Sequence, residues 1–209
     1  GRRQRQMCIR DSGGTAFIAH VGDGRIFLLR GREIHQITED HTLIAEQLKE
    51  GKITPEQARH APNRSVITRA LGAFARVLVD TLHFEVDPDD KLLLCSDGLH
   101  RYIGPRELSF SLMENVSQDT ATSLVADANG RGGRDNITVV VCGLAEAGAA
   151  AEPDELPNQA RMEALRRVDL FSTCTYRELM SICQVAEQRT VAAGTCLLYT
   201  SDAADDLYR

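Results

Sequence analysis

Three short motifs each set an aspartate at the edge of an apolar run: Val21-Gly22-Asp23-Gly24-Arg25, Cys95-Ser96-Asp97-Gly98-Leu99 and Arg134-Asp135-Asn136-Ile137-Thr138. Two follow strand-like runs, 16–21 and 91–95, and the third precedes one at 137–142. A short carboxylate beside glycine at a strand end projects from a rigid edge, so three such ends can share one cleft. Carboxylates that converge repel one another unless a cation lies between them. An all-oxygen donor set suits a hard divalent ion such as magnesium or manganese. Each aspartate also has a plainer role open to it. Asp97 can be a turn residue after a buried strand, Asp135 can cap the turn into the last strand, and Asp23 can simply turn the chain between two glycines.

The 209 residues allow one large domain or two small ones. With 43% apolar and 26% charged residues the composition is that of a globular protein. A net charge of -6 argues against a general nucleic-acid binder, which needs a basic surface to neutralise phosphates. No apolar run approaches the roughly 20 residues that span a bilayer. Neither nucleic acid nor membrane is therefore expected as a partner. The six cysteines are scattered without paired short spacing, and Cys95 and Cys142 read as buried thiols in apolar runs. A cytoplasmic setting fits this usage.

Strands are expected at 15–21 and 25–30, joined by the Gly22-Asp23-Gly24 turn, and at 33–37, where polar and apolar residues alternate. Asp40-His41-Thr42 then leads into a helix with Leu43, Ile44 and Leu48 on one side, stopped by Gly51. Thr54-Pro55-Glu56-Gln57 opens a second helix with a capping box and a first-turn proline. These two helices form an insertion before a short strand at 65–68. Strands resume at 81–86 and 91–95, and helices follow at 105–113 and 117–129. Gly130, Gly132 and Gly133 stop the second of these before the last strand at 137–142. The pattern predicts an α+β fold, an antiparallel sheet covered by helices. Residues 145–158 are rich in alanine, acid and proline and read as a linker. A helix near 159–167 follows, then a capping box Thr175-Tyr176-Arg177-Glu178 with Leu179, Ile182, Cys183 and Ala186 on one helix face, and a strand at 189–193. Leu165, Val168, Leu170 and Phe171 read as a core cluster. Residues 1–12 and 199–209 read as non-native ends and are left out of the fold assignment.

The ordered set of aspartate motifs, with a two-helix insertion between the first and second, resembles the metal-dependent protein phosphatases of the 2C (PPM) family. The resemblance runs through residues 13–144, and the segment from Asp40-His41-Thr42 to Ile67-Thr68-Arg69-Ala70-Leu71-Gly72 is similar to the flap of bacterial members. It implies an antiparallel β-sandwich flanked by helices. It also implies that Asp97 and Asp135 hold one manganese or magnesium ion of a two-metal centre directly, with Asp23 and Asp97 serving a third, weaker site. The activity implied is hydrolysis of phosphoserine and phosphothreonine in proteins, often targets of bacterial Ser/Thr kinases. A metal-activated water attacks phosphorus, so no side chain is itself given a catalytic role.

The departures are specific. The family's early strands, which carry the metal-bridging aspartate and a phosphate-binding arginine, have no counterpart, and Asp11-Ser12-Gly13 does not supply that ligand. Arg101 stands where many members have a further third-metal carboxylate, and Gly24 where serine is usual. The chain therefore reads as an internal fragment with little or no turnover of its own. His20 and His41 read as packed or structural residues, and Arg25 and Arg69 as partners of acids, ahead of any role in catalysis. Residues 159–198 resemble the start of a cyclic-nucleotide-binding domain, the helical opening of its β-roll, which makes a cyclic nucleotide a candidate partner. A rival reading is a non-catalytic phosphatase-like binding or signalling module, and another makes the tail a helical dimerisation element.

Overall fold

In the computed structural model, residues 6–12, 14–63, 66–73, 76–114, 116–143, 157–186 and 189–195 are described. Among the described residues, seven strands form two antiparallel sheets. The first orders β1 (Gln6–Ser12), β2 (Thr15–Val21) and β5 (Asp80–Glu85). The second orders β4 (Glu33–Gln36), β3 (Arg25–Arg30), β6 (Lys91–Cys95) and β7 (Val139–Gly143).

The two sheets differ in what they bury, and the sequence pattern follows. In the first sheet Ala16, Ile18, Leu82 and Phe84 face inward, whereas Phe17, Thr81, His83 and Glu85 are exposed. Alternation is what one buried face requires. The second sheet is covered on both sides, so β3 is apolar almost throughout. Its Ile26 and Leu28 meet the first sheet across the core with Leu92. Phe27, Leu29, Leu93 and Cys95 face an outer helical layer. That layer comprises the single turn α3 (Asp97–His100), α4 (Pro105–Glu114) and α5 (Gln118–Gly130), which contribute Leu99, Leu108, Leu112, Leu124 and Ala128. Burial pushes the Cys95 thiol up to about 12, so it is an inert core group.

The insertion forms α1 (Leu43–Lys49) and α2 (Pro55–His60), each capped by the threonine before it. The full capping box at Thr54 and Gln57 is present. The expected strand at 65–68 falls partly outside the described residues, and its described part makes a single bridge, Ile67 to Thr42.

Several expectations are corrected. Residues 6–12, set aside on sequence as part of a non-native end, pair with the whole of β2, from Gln6 opposite Val21 to Ser12 opposite Thr15. Backbone pairing needs an open strand edge and no side-chain period. The last strand begins at Val139 rather than 137, because the residues before it are drawn onto Ser96. The expected strand at 189–193 is irregular and exposed, with a turn at Gly194 (φ 87). It joins no sheet among the described residues.

The expected linker lies almost wholly outside the described residues. Beyond it, α6 (Asn158–Arg166), a 3-10 turn at Asp169–Phe171 and α7 (Tyr176–Val185) pack on the sandwich. The Thr175–Glu178 capping box is formed. Met162, Tyr176, Leu179 and Met180 join the inter-sheet core, with Leu165 and Phe171 half-buried beside them. Leu170 is 77% exposed and Val168 is exposed too, so only part of that expected cluster is core.

His35 of β4 stacks on Tyr176 of α7, with ring centroids 3.6 Å apart. Burial, then the Arg166 and Arg30 charges, push the imidazole down to about 4. Because its folded value lies below the ordinary 6.5, the unfolded chain takes up the proton first. Stability is fully present above the unfolded value and is lost as pH falls towards the folded one. Burial also lowers His20 and His100, which act with the same sign. Urea midpoints are therefore expected to fall between pH 7.5 and pH 5, and less steeply in His35→Phe. An unchanged slope in that variant would rule out the His35 contribution.

Candidate metal centre

The β2–β3 turn and the end of β6 meet at one rim of the sandwich. There they line a cleft of about 540 Å³ whose polar wall is Asp23, Arg25, Asp40, Asp97, His100 and Arg101. Helices α1 and α2 supply the other side through Ile44, Ala45, Leu48 and Ala58. Asp97 begins α3 and is 1% exposed, while Asp23 is 4% exposed. Two carboxylates so deeply buried are stable only where cations or donors face them.

One such cation is present in the chain itself. Arg101 Nη2 lies 2.7 Å from Asp97 Oδ2, one helical turn along. Arg101 is 40% exposed in its side chain, so its long stem can swing into solvent. Arg25 is engaged elsewhere, making a two-pronged pair with Asp40 at 2.7–3.2 Å. Arg69 likewise pairs with an acid, Asp80, at 2.8 Å.

Asp135 lies on the loop before β7, exposed, and does not line this cleft. The loop is nonetheless tied to the end of β6. Ser96 Oγ donates to the Asn136 carbonyl and accepts from Thr138 N–H, both at 3.0 Å, and Ser96 N–H donates to the Thr138 carbonyl. A Cβ on Gly98 would lie 2.5 Å from the Asn136 oxygen, so only glycine lets the loop approach the start of α3. Asp135 Oδ1 accepts from Asn136 N–H at 2.8 Å, as a turn-capping aspartate does. Asp23 and Asp97 thus share the cleft and Asp135 stands on the adjoining loop. Among the described residues no group of three His, Cys, Asp or Glu side chains is gathered closely enough to hold an ion. The carboxylates of the cleft, Asp23, Asp40 and Asp97, offer oxygen donors of the kind a hard divalent cation takes, with Arg101 now paired to Asp97.

Two further side chains belong to the site. His100 Nε2 donates to the Asp23 carbonyl at 3.0 Å, linking α3 to the β2–β3 turn. Burial, then the Arg25 charge, lower its pKa, keeping it a neutral donor. His100 follows Asp97 by one turn, but nothing local marks a partner 77 residues away. His41 is the second, and its ring lies behind the Asp23 turn.

The chain is similar to bacterial phosphatases over this region. It is 40% identical over 135 residues to protein phosphatase PhpP of Streptococcus pneumoniae, covering 64% of this chain and 55% of that protein. The serine/threonine phosphatase PstP/Ppp of Mycobacterium tuberculosis matches in structure with a TM-score of 0.65 and 36% identity, over 69% of this chain and 61% of that one. A structure of the PstP catalytic domain in complex with two manganese ions matches with a TM-score of 0.61 and 34% identity, over 68% and 59%. The PPM Ser-Thr phosphatase MsPP of Mycobacterium smegmatis matches at 0.58 and 32%, over 66% and 60%. No family model matches the chain. The chain spans about half the length of the curated relatives it matches. Its homologues and structural neighbours are PPM-type serine/threonine phosphatases, and it shares their fold.

Proposed function

We propose that the natural protein carrying this sequence hydrolyses phosphoserine and phosphothreonine in proteins, using a water activated at a manganese or magnesium centre that Asp97, Asp135 and Asp23 help to hold. The observation that carries this reading is the burial of Asp23 and Asp97 in one cleft of a fold shared with serine/threonine phosphatases. A bound divalent ion of this kind polarises a phosphomonoester and lowers the pKa of its water. The chain itself supplies position: Ser96 and Gly98 seat the Asp135 loop against α3, and His100 ties α3 to the Asp23 turn. Substrates of this class are products of bacterial Ser/Thr kinases.

The protein is expected, after removal of metal by EDTA, to release phosphate from a phosphothreonine peptide only when manganese or magnesium is restored. Equal release without metal, or none with it, would sink the proposal. The second outcome would favour a non-catalytic phosphatase-like module, for which the Arg101–Asp97 ion pair is the supporting observation.

The resemblance of residues 159–198 to a cyclic-nucleotide-binding domain supports regulation through the tail. Helices α6 and α7 share the sandwich core, so a change there would have a short mechanical route to the sheets. A rate unaffected by added cyclic AMP or cyclic GMP would remove this part of the reading.

A further inference from the structure

The placement of Asp23 depends on the backbone of Gly22, and one residue, through its backbone and its ring, holds both polar groups of that glycine. His41 N–H donates to the Gly22 carbonyl at 2.8 Å, and Gly22 N–H donates to His41 Nδ1 at 3.1 Å. Gly22 has φ 110, outside the range that other residues adopt readily, so the turn needs such support. An imidazole nitrogen that accepts carries no proton, which puts the ring proton on Nε2. Nε2 lies 3.3 Å from both Asp80 Oδ2 and Arg69 Nη1, and of these only the carboxylate can accept its proton. The carboxylate therefore selects the tautomer that leaves Nδ1 open for Gly22.

Asp80 is itself well anchored. Arg69 Nη1 donates to its Oδ1 at 2.8 Å, and Arg177 of α7 reaches its Oδ2 at 3.4 Å. Burial alone would raise the carboxyl, but the hydrogen bond from His41, then the Arg177 and Arg69 charges, hold it below its ordinary value. The His20 ring lies 4.9 Å from that of His41 and donates from Nε2 to the Glu39 carbonyl at 3.1 Å, closing the other side. His41 is buried and its ring does not line the cleft, and the ring meets the Asp23 turn through Gly22.

We propose that His41 is a positioning residue for Asp23: its Nδ1 fixes the Gly22 amide, and Asp80 fixes the tautomer that makes this possible. The inference rests on the metal reading of Asp23 for its functional consequence. The arrangement parallels the outer-shell carboxylate–histidine pairs that orient metal ligands, except that the histidine holds backbone in place of metal. Arg177 brings the tail helix to the same carboxylate, so α7 contributes to the placement of the turn.

The test compares His41→Asn with His41→Gln in the full 209-residue chain. Asparagine puts a polar acceptor where Nδ1 stands, whereas glutamine puts one where Nε2 stands. Amide hydrogen exchange at Gly22 is expected to stay close to wild type in His41→Asn and to accelerate about tenfold or more in His41→Gln. Manganese affinity measured by calorimetry should follow the same order, with a loss of about 10-fold in His41→Gln. A packing role alone predicts the reverse, since glutamine fills more of the ring's volume. Equal protection of Gly22 in both variants, or loss in His41→Asn alone, would overturn the proposal. In the wild-type chain, long-range proton–nitrogen NMR should find the His41 proton on Nε2, and a proton on Nδ1 would overturn it whatever the variants do. Absence of manganese binding by the wild type would sink the metal reading instead, leaving Gly22 exchange and the tautomer to decide the positioning claim.

Discussion

Asp90→Ala is expected to destabilise the fold by about 3–5 kcal/mol, the usual effect of removing one partner from a buried ion pair. Asp90 is fully buried at 0% exposure and Arg30 is 4% exposed. The guanidinium grips the carboxylate with Nε at 3.0 and 3.2 Å and Nη2 at 2.6 Å, and Nη2 also donates to the Glu85 carbonyl at 2.9 Å. Burial alone would lower the Arg30 pKa, but hydrogen bonds and charge from Asp90 outweigh it and raise the pKa above its ordinary value. Alanine at 90 would leave that charge in the core with Asp87 as its remaining nearby acid, at 3.1 Å. It would also free Asp87 N–H, which now donates to Asp90 Oδ2 at 2.9 Å. The same knot reaches the tail, since Asn158 Nδ2 donates to Asp87 Oδ1 at 2.9 Å. Urea unfolding of the two proteins measures the effect. Arg30→Met, which leaves the buried Asp90 carboxylate without its cation, should destabilise by a comparable amount. A shift under about 1 kcal/mol in Asp90→Ala would place this pair with solvent-screened surface bridges.

Asp97→Asn in the natural protein is expected to lower metal-dependent phosphatase activity by at least about 100-fold, beyond the 10–100-fold typical of losing an outer-shell partner. Asparagine keeps the shape and one acceptor oxygen but removes the charge that a divalent ion needs. The fold should survive, because Ser96 and Gly98 still carry the junction with the Asp135 loop. Manganese affinity by calorimetry should fall in parallel. Arg101→Ala supplies the control of opposite sign, since removing a guanidinium 2.7 Å from Asp97 removes the ion's competitor and should tighten manganese binding. Wild-type activity in Asp97→Asn would move the chemistry away from this cleft.

Much of the architecture was legible because its physics is local. One-sided burial of β5 imposes alternation, and two-sided burial of β3 imposes a continuous apolar run. The helix starts at Thr42, Thr54, Ser117 and Thr175 are set by side chains reaching three residues ahead. What escaped were features whose cause lies elsewhere in the chain. β1 exists through pairing with β2, and β7 starts late because Ser96 claims the residues before it. Leu170 looked like core until the 3-10 turn pointed it outward.

The site divides along the same line. Sequence alone marked Asp23, Asp97 and Asp135, since a glycine-flanked aspartate at the edge of an apolar run is visible within five residues. It also marked most of the strand segments and the helical insertion between them. Only the tertiary structure put Asp23 and Asp97 in one cleft and left Asp135 on the neighbouring loop. It alone joined His41 to Gly22 and Asp80, whereas the Arg101–Asp97 pair follows from i,i+4 spacing at α3. Most of these contacts join residues from different strands and helices, separated by tens of residues. Their partners are chosen by how two sheets and two helical layers pack, and no local period or cap encodes that choice.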